Sequence, residues 1–69
     1  MISERIKIKN NELPDSPGVY FYYDFNDKLL YVGKATSLRR RVGSYFTKAH
    51  DDRIGQMVGQ IARIDYIET

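Results

Sequence analysis

A small α+β domain, a three-stranded antiparallel sheet flanked by helices, is predicted by three features of the chain. Two runs rich in aromatic and β-branched residues, Val19 to Asp24 and Lys28 to Gly33, lie either side of Asn26-Asp27, the pattern of a hairpin. Behind them Leu38, Val42, Tyr45 and Phe46 recur at i, i+4, i+7 and i+8, one apolar stripe on a helix. The chain closes on Ile64 to Thr69, a third alternating run. At 69 residues this is one domain, 1–69, with a thin core.

Taken in order, residues 1–12 support two readings. Ser3 and Glu4 can open a short helix, whereas Arg5-Ile6-Lys7-Ile8-Lys9 alternates as a strand does. A short frayed helix is the reading adopted, stopped by Asn10, Asn11 and Pro14. Leu13 to Gly18 is a turn, because each proline fixes its own φ and pushes the preceding residue out of the helical region. Gly18 suits a close backbone approach at the start of the first strand.

A two-residue loop at Asn26-Asp27 pairs Phe25 with Lys28, Tyr23 with Leu30, Tyr22 with Tyr31 and Tyr20 with Gly33. Alternation then puts Tyr20, Tyr22 and Tyr31 on one face and Phe21, Tyr23, Leu30 and Val32 on the other. The second, more apolar set is the expected core face. A loop of odd length would flip one strand and break the tyrosine set. Gly33 ends the second strand without a side chain, leaving room for a helix or a phosphate.

Thr36 or Ser37 can cap the first helix. At roughly 100° per residue, Arg39 and Arg41 flank its apolar stripe on opposite sides and Arg40 points away. Asp51 or Asp52 can cap a second helix, with Ile54, Met57, Val58 and Ile61 as its buried face. Gly55 and Gly59 weaken it by about 1 kcal/mol each relative to Ala.

Net charge is only +2, yet Lys34, Arg39, Arg40, Arg41 and Lys48 form an acid-free segment of +5. A basic patch on an otherwise acidic chain points to an anionic partner. There is no cysteine, so no disulfide framework or thiolate metal site, which fits a reducing, cytoplasmic setting. No apolar run approaches membrane length and no leader pattern opens the chain.

The motifs Gly18-Val19-Tyr20 and Tyr31-Val32-Gly33, with Lys34 and the Arg39-Arg40-Arg41 run behind them, resemble the GIY-YIG nuclease superfamily. From Leu13 to Phe46, and more loosely to Thr69, the chain is most similar to the N-terminal nuclease domain of the bacterial UvrC excinucleases. That resemblance implies metal-dependent hydrolysis of a DNA phosphodiester, as the 3′ incision of nucleotide excision repair, alongside other excinuclease subunits. It implies Tyr31 as the group that takes a proton from the attacking water, assisted by Tyr20. Lys34 would position phosphate or water, and Arg41 would clamp the phosphate. Gly18 and Gly33 are the motif glycines. Lys34, Arg39, Arg40, Arg41 and Lys48 are the expected nucleic-acid contacts, although most arginines on a helix simply face solvent.

A phenol titrates near pH 10, so Tyr31 needs help to act as a base. Cations at Lys34 or Arg41, or a hydrogen bond from Tyr20, would supply it. Tyr22 has no motif counterpart and reads as packing. The superfamily's Mg²⁺ or Mn²⁺ is held by a glutamate on a later helix. Glu68 falls in a strand and is not assigned that role, and His50-Asp51-Asp52 is more simply a capped helix start. No metal ligand is therefore expected within this chain, and the chain by itself is expected not to cut. Two other readings compete: a stand-alone or mobile-element endonuclease, and a non-catalytic nucleic-acid-binding module that stacks bases on its tyrosines.

Overall fold

The computed structural model describes residues 5–47 and 52–69. Four strands and two helices follow one another as β1 (Lys7–Ile8), β2 (Gly18–Tyr23), β3 (Leu29–Ala35), α1 (Leu38–Thr47), α2 (Asp52–Gln60) and β4 (Arg63–Glu68). The sheet order is β1-β4-β2-β3. β2 runs antiparallel to both β3 and β4, while β1 lies parallel to β4. The sheet is thus four-stranded and mixed, one strand more than the sequence predicts.

The extra strand is the N-terminal segment. Lys7 and Ile8 pair with Arg63 and Ile64, so the alternating pattern outweighs the helical reading at this place. Ser3 and Glu4 lie outside the described residues. A single tight turn, Lys9–Asn11, ends the strand with Asn10 and Asn11 both at φ 58°, a left-handed conformation that asparagine tolerates better than most residues. Lys9 then reaches back, donating from Nζ to the Tyr66 carbonyl at 2.9 Å.

In the hairpin, Tyr20 pairs with Gly33 and Tyr22 with Tyr31 as expected, but Tyr23 pairs with Leu29 rather than Leu30. The connection from Asp24 to Lys28 explains the change. The Asp24 carboxylate accepts from the Asn26 and Lys28 N–H groups at 2.8 and 2.9 Å, the Asp27 N–H donates to the Asp24 carbonyl, and the Asp24 N–H to that of Lys28. Asp27 sits at φ 61°. This loop is odd in length. A bulge opposite the Tyr22–Tyr23 step, with Leu30 as the extra residue, restores the register beyond it. Without that bulge Tyr31 would face away from Tyr20 and Tyr22.

β3 does not stop at Gly33 but continues through Lys34 to Ala35, which pairs with Gly18. At Gly18 a side chain would strike the Ile67 carbonyl of β4 and would come within 2.8 Å of the Leu38 side chain. The glycine therefore lets a neighbouring strand and α1 close on the same point.

The start of α1 is anchored twice to the preceding turn: the Leu38 N–H donates to the Ser16 carbonyl at 2.9 Å and the Arg39 N–H to that of Pro14 at 3.1 Å. Ser37 is the cap. Its hydroxyl accepts from the Arg40 N–H at 3.3 Å and donates to Asp15. The residue that would cap α2, Asp51, lies outside the described residues.

The helices cover the tyrosine face, not the face the sequence predicts. Tyr20 and Tyr22 of β2 and Ile64 and Tyr66 of β4 are buried with Leu38, Val42 and Ile61. Ile6 and Leu13 complete this core, and Tyr45, Phe46 and Met57 pack against it. On the opposite face Val32 and Ile67 are exposed, and Arg63 lies over the Tyr23 ring at 4.0 Å. The reason lies in the connection from β3 through α1 and α2 to β4. It joins two parallel strands with β2 between them, and such crossovers are right-handed in nearly all sheets. A crossover of one hand puts its helices on one face only, whatever side chains that face carries. Tyrosine serves there because most of its surface is apolar ring.

Candidate active site

Four tyrosines form one cluster where β2, β3 and α1 meet. Tyr22, fully enclosed, is its floor. Its ring centroid lies 5.2 Å from Tyr20 and 5.2 Å from Tyr45, edge-on to the latter at 85°. Tyr31 is 6.1 Å from Tyr20, 6.3 Å from Tyr22 and 6.3 Å from Tyr45. The cluster opens to solvent through Tyr31, 41 % exposed where Tyr20 is 2 % exposed.

Gly33 makes room for this arrangement. A Cβ on Gly33 would collide with the hydroxyl and ring of Tyr20, so the phenol lies across the bare backbone of β3. The space the sequence assigns to a helix or a phosphate is filled by a tyrosine.

The hydroxyls are linked differently from the sequence expectation. Tyr20 bonds not to Tyr31 but to Tyr45, oxygen to oxygen at 3.2 Å. Tyr45 also borders Tyr31, ring centroids 6.3 Å apart, and its hydroxyl bears on that of Tyr31. Sequence reasoning misses Tyr45 and counts it in the apolar stripe of α1. One signal is present: Tyr45 stands one helical turn after Arg41, so the two side chains leave α1 on the same side.

The electrostatics follow from these contacts. Tyr31 is pushed above the ordinary phenol range, first by its hydrogen bond with Tyr45 and then by the proximity of that second phenol and partial burial; Arg41 acts the other way. Burial dominates the stronger upward push on Tyr20 and Tyr22, again opposed by Arg41. Arg41 is thus a cation whose charge opposes the upward shift of all three phenols.

Lys34 is placed elsewhere. It pairs with Val19 and by alternation belongs with Val32 to the face opposite Tyr31. It does not supply the cation beside the phenols that the sequence reading offers. Arg39 turns to the lead-in loop, donating from Nε to the Leu13 carbonyl at 3.1 Å and pairing with Glu12 at 3.6 Å. Arg40 lines a shallow polar concavity with Thr36, Ser37, Arg41 and Ser44. The remaining basic position, Lys48, lies outside the described residues.

Among the described residues no three His, Cys, Asp or Glu side chains gather as metal ligands would. Glu68 accepts from the Ser16 hydroxyl at 2.8 Å, Asp65 pairs with Arg63 and Lys9, and Asp15 accepts from Ser37. His50 and Asp51 lie outside the described residues. The described acids do not fit a divalent-cation site of their own. No helix of the described residues is long and apolar enough to cross a membrane.

The site offers an exposed phenol whose ionised form is favoured by a guanidinium on α1, with further phenols packed behind it. Such a site can exchange a proton at the Tyr31 oxygen while Arg41 holds an anion. A family model described as the UvrC-like GIY-YIG domain matches residues 16–69, a span that contains every residue of the cluster.

Proposed function

The chain belongs to the family of UvrC-like GIY-YIG domains, nuclease domains with DNA as substrate, and we propose from this that it hydrolyses a DNA phosphodiester, with Tyr31 as base and Arg41 as phosphate clamp. The observation that carries this reading is an exposed Tyr31 over a buried phenol floor, with the charge of Arg41 favouring its ionised form. Ionised Tyr31 takes a proton from water, the water oxygen bonds to phosphorus, and the bond to the leaving alkoxide breaks. That alkoxide is protonated from solvent. Arg41 stabilises the charge that grows on the phosphate oxygens in the transition state. Tyr45, itself bonded to Tyr20, positions the hydroxyl of Tyr31.

The finer reading is the 3′ incision of nucleotide excision repair in company with other excinuclease subunits. It rests on the family match and on the lead-in from Leu13 to Gly18. It carries a divalent cation, Mg²⁺ or Mn²⁺, whose acid ligands the described residues do not supply, so no step above is routed through it. Arg40, which lines one concavity with Arg41, fits a contact with a neighbouring phosphate along the strand.

The test is Tyr31→Phe in the full-length protein, assayed on nicked and lesion-bearing duplex DNA with Mg²⁺ or Mn²⁺ and the damage-recognition subunits. Loss of a general base lowers the rate by about 10²–10⁴-fold, with DNA affinity unchanged. Cleavage that survives the substitution would reduce Tyr31 to a stacking platform and leave the non-catalytic binding module as the function.

A further inference from the structure

Tyr22 belongs to neither motif tripeptide, yet it is the largest of the fully buried side chains among the described residues. Its hydroxyl has no hydrogen-bond partner among them, an arrangement that opposes folding. The ring, by contrast, is in contact distance of both phenols that carry the hydroxyl chain. It meets Tyr45 edge-on at 5.2 Å and Tyr20 at the same separation.

We propose that Tyr22 is a positioning residue for the phenol site, its ring acting through Tyr45 and Tyr20 to fix where hydroxyls stand around Tyr31. Tyr45 is only partly buried, packed against the core rather than within it, and the rings of β2 form the wall it rests on. Tyr20 is confined between that floor and the backbone of Gly33. Removing the flat ring beneath frees both neighbours at once, and Tyr45 is the ring that borders Tyr31 at 6.3 Å and bears on its hydroxyl. Removing only the hydroxyl takes away an unpartnered group and leaves every ring contact in place. Ring and hydroxyl are therefore separable. A residue that merely filled core volume would let leucine or methionine replace it without effect on Tyr31.

This inference deepens the nuclease reading, and one of its two tests does not depend on that reading. The 69-residue chain, labelled at tyrosine Cζ with ¹³C, is titrated by NMR and Tyr31 is followed. The groups facing Tyr31 are Tyr20 and Tyr22 from β2 and Tyr45 and Arg41 from α1. Tyr22→Phe should leave the Tyr31 midpoint where it is. Tyr22→Leu should lower it toward that of a free phenol, because the bond with Tyr45 loosens. Should Tyr22→Leu fail to fold, Tyr22→Met, which keeps the bulk without the plane, carries the same expectation. In the cleavage assay of the full-length protein, Tyr22→Leu should lower kcat by roughly tenfold with KM little changed, and Tyr22→Phe should restore it. An unmoved Tyr31 midpoint in a folded Tyr22→Leu or Tyr22→Met chain overturns the proposal. So does a Tyr22→Phe chain that behaves like Tyr22→Leu. If no variant cleaves DNA but the midpoint moves as stated, the positioning role stands and the nuclease reading fails.

Discussion

At neutral pH Tyr31 is a weak base as it stands. Its bond with Tyr45 favours the protonated phenol, and Arg41 only partly offsets this. The sign of the consequence is fixed: a raised midpoint means the phenolate fraction grows about tenfold per pH unit throughout the neutral and mildly alkaline range. Cleavage by the full-length protein should therefore rise with pH with unit slope and no plateau below about pH 10. A plateau near neutrality would show that another group is the base. Arg41 and Arg40, adjacent in sequence, should behave differently for the same geometric reason. Arg41 acts on the phenols, so Arg41→Ala should raise the barrier by roughly 2–4 kcal/mol with little change in affinity. Arg40→Ala should mainly weaken DNA binding. Equal losses of rate from the two would contradict the arrangement of α1.

The hairpin is the element that assembles the site, and two of its details decide whether it can. One is the bulge at Leu30, which compensates an odd loop and returns Tyr31 to the side of Tyr20 and Tyr22. The other is Gly33, which has no side chain because the Tyr20 ring lies there. Gly33→Ala should destabilise the fold by about 1–3 kcal/mol through overpacking, seen as a lower Tm, and should break the Tyr20–Tyr45 hydroxyl contact. Gly55 is the natural control, since a Cβ there meets nothing within 4 Å. Gly55→Ala should raise stability through helix propensity, by up to about 1 kcal/mol. A Gly33→Ala chain as stable as the parent would mean that Tyr20 can leave the β3 backbone at no cost.

On the scale of the molecule, the charge is divided by position. The acid-free segment from Lys34 to Lys48 carries +5 and the rest of the chain −3. Arg40 and Arg41 line one concavity, Arg41 also bears on the phenols, and Arg39 is spent on the lead-in loop. With about three to four phosphates neutralised, binding of the chain to duplex DNA should be independent of sequence, with log K falling against log salt at a slope near −3. Affinity that does not change with salt would show that this segment is not the binding surface. Arg39→Ala should leave that slope nearly unchanged, because its guanidinium is already engaged by Leu13 and Glu12.

Much of this is local and legible in the residues: the hairpin about Asn26-Asp27, the pairing of Tyr20 with Gly33 and Tyr22 with Tyr31, and the cap at Ser37. Each depends on alternation, turn chemistry or helical phase, which a few neighbouring residues encode. The N-terminal strand is visible only as one of two patterns, because a two-residue strand gains its stability from a partner 56 positions away in the register of Lys7 with Arg63. Tyr45 escapes notice because a stripe on a helix shows which residues turn inward, not which hydroxyl each will meet. The side of the sheet that is buried was decided by tertiary structure alone. Local hydropathy favours Phe21, Tyr23, Leu30 and Val32. The helices instead cover Tyr20 and Tyr22, because the path from β3 to β4 must pass over one face of the sheet and the handedness of that crossover is a property of the whole chain.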